Sequence, residues 1–161
     1  MTPNFEQTVQ QYANILHKLC RVYTNDAAEY EELFQEMLIQ IWRALPKFRG
    51  DALLSTWLYR VCINTALGFR TRAKNSKKFV PLEETLPADF SFNEDEKDEQ
   101  FKRLYRAIRE LKPIDRAIVS LYLDEKSYEE TAQILGMTKT NVATRLMRLK
   151  KQLMEKLSAY E

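Results

Sequence analysis

The chain has 161 residues, 45% hydrophobic and 30% charged, which is the balance of a globular protein and excludes a disordered one. Only 3 glycines and 5 prolines stand against an abundance of Leu, Glu, Lys, Arg, Gln and Ala, so the composition predicts an almost all-helical fold. No apolar run approaches the roughly 20 residues of a bilayer crossing, and the start, MTPNFEQTVQQY, lacks the basic head and apolar core of a secretory signal; a cytoplasmic protein without membrane insertion is expected.

The formal charge of +2 conceals a segregation. Residues 1–75 carry nine basic and seven acidic side chains, residues 76–100 three and eight, and residues 101–161 thirteen and eight. Two basic-leaning halves thus flank an acidic stretch, a layout that suits a polyanion partner and equally suits a set of solvated helix faces. Cys20 and Cys62 lie far apart within helical patterns and read as reduced, buried thiols. With His17 as the sole histidine and no CxxC pair, neither a metal site nor a cofactor is expected.

In chain order, Tyr12, Ile15, Leu16, Leu19 and Cys20 recur at helical spacing. Asp26 followed by Glu29 predicts a helix start, an N-cap oxygen and a carboxylate three positions on satisfying free backbone donors. The helix that follows carries a wide apolar stripe, Leu33, Phe34, Met37, Leu38, Ile41, Trp42 and Leu45, and Pro46 stops it. A basic connection, Lys47-Phe48-Arg49-Gly50-Asp51, leads to a helix with Ser55 as its N-cap. Trp57, Leu58, Val61, Cys62 and Ala66 mark its inner side; Arg60 and Asn64 lie off that stripe, and the helix runs into Arg70, Arg72 and Lys74. Three such helices close a small bundle. Residues 76–99, with Pro81, Pro87 and the run Asn93-Glu94-Asp95-Glu96, break the pattern and predict an acidic, flexible linker.

From Gln100 the helical period returns with Leu104, Ile108 and Leu111. Pro113 suits a first helical turn, where its missing N–H is not needed, and its helix buries Ala117, Ile118 and Leu121. Ser127-Tyr128-Glu129-Glu130 reads as a capping box, Gly136 as the left-handed residue closing that helix, and Thr138 as the cap of the next, whose Val142, Leu146, Leu149 and Leu153 point inward. The expectation is therefore an all-α chain of two small helical domains, residues 1–75 and 100–161, joined by the linker.

Two constellations carry function. Short helix, glycine-containing turn and second helix over residues 127–153 describe a helix-turn-helix, with Lys139, Asn141, Thr144, Arg145 and Arg148 on outward or flanking faces. Such a helix can enter the major groove, where Arg reads guanine and Asn reads adenine; an ordinary helical hairpin with a solvated face has the same pattern. The second, Arg49-Gly50-Asp51 with Ser55 to Asn64, sets aromatics beside basic groups, as in proteins that hold separated strands. Trp57 is expected in the core, which leaves Arg60 and Asn64 as the better contacts.

At these residues the chain resembles a known family. Ala28 to Glu36, Trp42-Arg43-Ala44, Phe48-Arg49-Gly50, Ser55 to Arg60 and Asn64 look like conserved region 2 of the extracytoplasmic-function (ECF) group of sigma-70 sigma factors, the subunits that direct RNA polymerase to promoters. Leu111 to Arg116, Ser127 to Ala132, Leu135-Gly136 and Val142 to Leu146 are similar to their region 4. The resemblance implies a transcription initiation factor and not an enzyme. Region 2 would dock the beta-prime clamp of the polymerase core through Leu33, Gln35, Glu36, Ile39 and Trp42, and would recognise and open the minus-ten element through Arg49, Gly50, Asp51, Ser55, Arg60, Asn64, Arg70 and Arg72. Region 4 would read the minus-thirty-five element through Lys139, Thr140, Asn141, Thr144, Arg145 and Arg148 and touch the beta flap; an anti-sigma factor is a further implied partner. Ala143 stands where the family often carries lysine, and Gly68 and Phe69 replace polar residues. A stand-alone helix-turn-helix regulator and a sigma-like decoy for an anti-sigma factor are the rival readings.

Overall fold

The computed structural model describes residues 3–75 and 99–159, and these fall into two helical units. The expected linker, residues 76–99, lies outside the described residues except for Glu99, which opens a helix.

The first unit contains α1 (Phe5–Gln11), α2 (Ala13–Tyr23), α3 (Ala27–Ala44), a 3-10 turn (Leu45–Lys47) and α4 (Leu54–Asn75). The first expected run falls on α2, with Tyr12, at φ −112°, at the break before it; α1, ahead of that break, is a helix the run did not include. Asp26 caps α3 by accepting from the Glu29 N–H at 2.8 Å. Glu29 reaches back to the Asn25 N–H, also at 2.8 Å, one residue further than the Asp26 N–H of a regular capping box. The helix yields to the 3-10 turn at Leu45, with Pro46 inside the turn. Leu33, Met37, Ile41 and Leu45 repeat every four residues along one face and are all buried. They meet Leu16, Leu19, Cys20 and Tyr23 of α2 and Leu58, Cys62, Ile63 and Ala66 of α4, and α2, α3 and α4 pack pairwise around this core. Each fully buried Leu or Ile contributes about 1.5–3 kcal/mol. One local expectation changes: α4 starts at Leu54, its first turn closed by the Trp57 N–H on the Leu53 carbonyl at 3.0 Å. Ser55 therefore lies inside the first turn and is not the cap.

The second unit contains α5 (Glu99–Arg109), α6 (Pro113–Leu123), α7 (Tyr128–Leu135) and α8 (Lys139–Ala159). Pro113 occupies the first turn of α6. Ser127 and Glu130 form the reciprocal capping box of α7, and Gly136 takes φ +68° at its end. Thr138 Oγ1 accepts from the Asn141 N–H at 3.1 Å and so caps α8. Val142, Leu146, Leu149 and Leu153 form the buried stripe of α8, against Ile108, Ile118, Leu121 and Ile134 from the three other helices. No helix among the described residues is long and apolar enough to cross a membrane.

Candidate nucleic-acid and protein interfaces

In the second unit the buried stripe of α8 fixes what is left outside. Thr140, Asn141, Thr144 and Arg148 are all exposed, and their three- to four-residue spacing puts them along one side of the helix. Lys139 is exposed but not unengaged: its Nζ lies 3.1 Å from Glu129 Oε1 across the turn. Arg145 sits lower. Its Nη1 is 3.3 Å from Asp115 Oδ1, and the Asp115 side chain is only 10% exposed in the first turn of α6. A carboxylate at that depth requires a charged or hydrogen-bonded partner, so Arg145 ties α8 to α6. The sequence marked Arg145 as a contact; nothing in the pattern marked Asp115 as its partner.

In the first unit, Arg49, Gly50 and Asp51 form an exposed turn, with Gly50 at φ +81°, a conformation that glycine takes without strain. Behind it the Phe48 and Trp57 rings lie 5.3 Å apart at 54°, and both are half-buried, so Trp57 is less enclosed than expected. Ser55 is half-buried, while Arg60 and Asn64, one turn apart on α4, are exposed. Arg49, Arg60 and Arg148 have no ion-pair partner among the described residues.

The two remaining basic candidates are engaged. Arg70 Nη1 bonds both Glu29 Oε1 and the Tyr23 carbonyl, each at 3.0 Å, and thereby ties α4 to α2 and α3. Arg72 Nη2 lies 2.6 Å from Glu36 Oε2, with the guanidinium side chain still 62% exposed.

The docking set on α3 divides. Leu33 is 0% exposed and belongs to the core with Met37 and Ile41, so it cannot face a partner. Gln35 is exposed and Glu36 half-buried. Ile39 and Trp42 are 47% and 65% exposed, large apolar groups that their own unit leaves in solvent. Between α3 and α4 runs an open groove of about 600 Å³ whose walls include Glu36, Ile39, Arg43, Asn64 and Arg72. Arg43, quoted in the sequence only within Trp42-Arg43-Ala44, was not among the expected contacts. A second face also escaped notice: Met147 and Met154 on α8 are exposed beside Tyr128, and Lys150 Nζ sits 4.2 Å over the Tyr122 ring. Their seven-residue spacing was a readable signal.

The thiols are structural. Cys20 Sγ lies 3.8 Å from Met37 Sδ, and burial pushes its pKa up to about 12; burial raises Cys62 as well. His17 stacks on Phe34 at 4.8 Å and contacts the Tyr30 hydroxyl; burial first, and then Arg21, lowers its pKa.

Family models match both units: Sigma-70 region 2 over residues 8–76, and Sigma-70, region 4 over residues 101–153. The ECF RNA polymerase sigma factor SigM of Mycobacterium tuberculosis is 27% identical over 151 residues, covering 92% of this chain and 74% of that one. The RNA polymerase sigma-H factor of Pseudomonas aeruginosa is 28% identical over 156 residues, covering 89% and 81%. Among solved structures, the sigma factor RpoE in complex with the anti-sigma factor NepR from Bartonella quintana superposes with a TM-score of 0.74 at 21% identity over 96% of each chain, a likeness of fold.

Proposed function

Since the chain belongs to the sigma-70 family, in its ECF group, we propose that it binds RNA polymerase core and directs it to promoters by recognising minus-ten and minus-thirty-five elements. The observation that carries this reading is the pairing of faces in the first unit. Exposed Ile39 on α3 stands across one groove from exposed Asn64 on α4; exposed Trp42 follows Ile39 on α3, and exposed Arg60 lies one turn before Asn64. An apolar patch suits a protein partner, and the polar, cationic helix beside it suits a nucleic acid.

In this reading Gln35, Glu36, Ile39 and Trp42 dock the beta-prime clamp, with Leu33 holding α3 from below. Arg49, Arg60 and Asn64 hold the opened minus-ten strand, the turn at Gly50 and Asp51 receives an unstacked base, and Ser55 supports it. Thr140, Asn141, Thr144 and Arg148 read the minus-thirty-five element, while Lys139 and Arg145 set the helix. The second unit would also touch the beta flap. Melting costs about 1–2 kcal/mol per base-pair step, which captured bases offset. Nucleotide addition belongs to the polymerase. An anti-sigma factor is the proposed inhibitor, by analogy with the NepR complex.

The test is promoter-specific transcription with sigma-free core polymerase on genomic fragments. Discrete transcripts that depend on the chain are expected. Core binding without transcripts would favour a decoy, and absence of core binding would favour a stand-alone regulator.

A further inference from the structure

Glu36 and Arg72 face each other across the groove between α3 and α4, one from the side assigned to the polymerase and the other from the side assigned to DNA. We propose that their ion pair is an interlock: each residue occupies the other's site of external contact, so that docking of core releases Arg72 for the promoter strand, and strand binding releases Glu36 for core.

The geometry supports an exchange of partners more than a fixed tether. The contact is short, 2.6 Å between Arg72 Nη2 and Glu36 Oε2, yet the Arg72 side chain is 62% exposed and that of Glu36 31%. Solvent and an incoming partner therefore have access to both. Arg70, two residues earlier, is the contrasting case. Its side chain is 18% exposed and bonds a backbone carbonyl as well as a carboxylate, so leaving breaks two contacts at a largely buried site. Among the described residues Arg72 has one partner, Glu36, which lies on the facing helix α3. The groove places Ile39 and Asn64 on the same two walls. A core residue reaching Ile39 therefore arrives beside Glu36, and a phosphate approaching Asn64 arrives beside Arg72.

An exposed pair of this kind restrains its members only modestly, by at most about fivefold in an equilibrium. The coupling is reciprocal by linkage, so it is visible from either side. This inference rests on the proposed assignment of Glu36 to core docking and on the minus-ten contact that the family resemblance implies for Arg72.

The experiment uses the full chain at low salt. Glu36→Gln should tighten binding of the free chain to a fluorescent single-stranded minus-ten oligonucleotide about two- to fivefold, and the gain should vanish in the Glu36→Gln/Arg72→Gln double variant. Arg72→Gln should tighten binding to sigma-free core by a similar factor. Both gains should shrink as salt screens the pair. Unchanged or weaker binding in either single variant, or a gain that persists in the double variant, overturns the interlock. The wild-type transcription assay separates the two levels: chain-dependent transcripts with no gain in either variant discard the interlock alone, whereas no transcripts and no core binding discard the reading beneath it.

Discussion

In residues 99–159 the helix ends are closed by near neighbours in sequence: Ser127 with Glu130, Thr138 with Asn141, and the Met137 N–H on the Ala132 carbonyl around Gly136. In residues 3–75 the decisive side-chain ties are distant ones. Arg70 reaches Glu29 and Tyr23 across 41 and 47 positions, and Arg72 reaches Glu36 across 36. A local cap is fixed by a few dihedral angles and forms with its helix. A distant tie forms only after the helices that carry it have packed. In the second unit the exposed polar side of α8 follows from local caps and period, with Arg145 and Lys156 also tying the helix to Asp115 and Glu110, whereas the groove of the first unit is assembled from two helices held by tertiary contacts.

The largest effect should come from breaking the core of the first unit. Leu33→Ala leaves a cavity at a wholly buried site and should cost about 2–5 kcal/mol. Both cysteines lie in this unit, buried and with raised pKa values, so native thiols should resist alkylation at neutral pH and label only on opening. The variant should speed their labelling by about 30-fold or more. Trp42→Ala, on the opposite face of the same helix, should leave that rate unchanged and instead weaken core binding by about 2 kcal/mol. Equal labelling rates in Leu33→Ala and wild type would show that the stripe had been misassigned.

Arg70→Ala comes next. It removes a charged partner of Glu29 and a donor to the Tyr23 carbonyl and should cost about 1–3 kcal/mol in thermal unfolding of the first unit. If Arg70 instead served DNA alone, stability would hold and only oligonucleotide binding would fall.

Gly136→Ala should cost about 1–2 kcal/mol in the second unit, because Ala must enter the left-handed region at φ +68°. The smallest effect has the opposite sign. The end of α6 repeats the same device with the wrong residue: Glu125 takes φ +62°, with the Lys126 N–H on the Leu121 carbonyl. Glu125→Gly should raise stability by up to about 1 kcal/mol, measured by the same melt.

Much of this was legible in the residues. The all-helical class follows from composition, and the boundaries of α7 and α8 follow from the Ser127, Gly136 and Thr138 signals, because each acts within a few residues of where it is written. The exposed side of α8 at Thr140, Asn141, Thr144 and Arg148 follows from the helical period once Val142 and Leu146 point inward. The residues expected to dock the polymerase were harder. The sequence reading put Leu33 and Trp42 on one broad stripe, although nine residues at about 100° each set them on opposite sides of α3, one sealed and the other open to solvent.

The sequence by itself determined the helices, most of their caps and the faces they turn toward an apolar neighbour, since periodicity and capping are local properties of the chain. Only the tertiary structure decided which members of a stripe are covered, that Arg70 and Arg145 are tethers, and that Glu36 and Arg72 meet across a groove. Those outcomes depend on where a second helix passes, and charge pairing between residues 30 or more positions apart leaves no spacing rule to read.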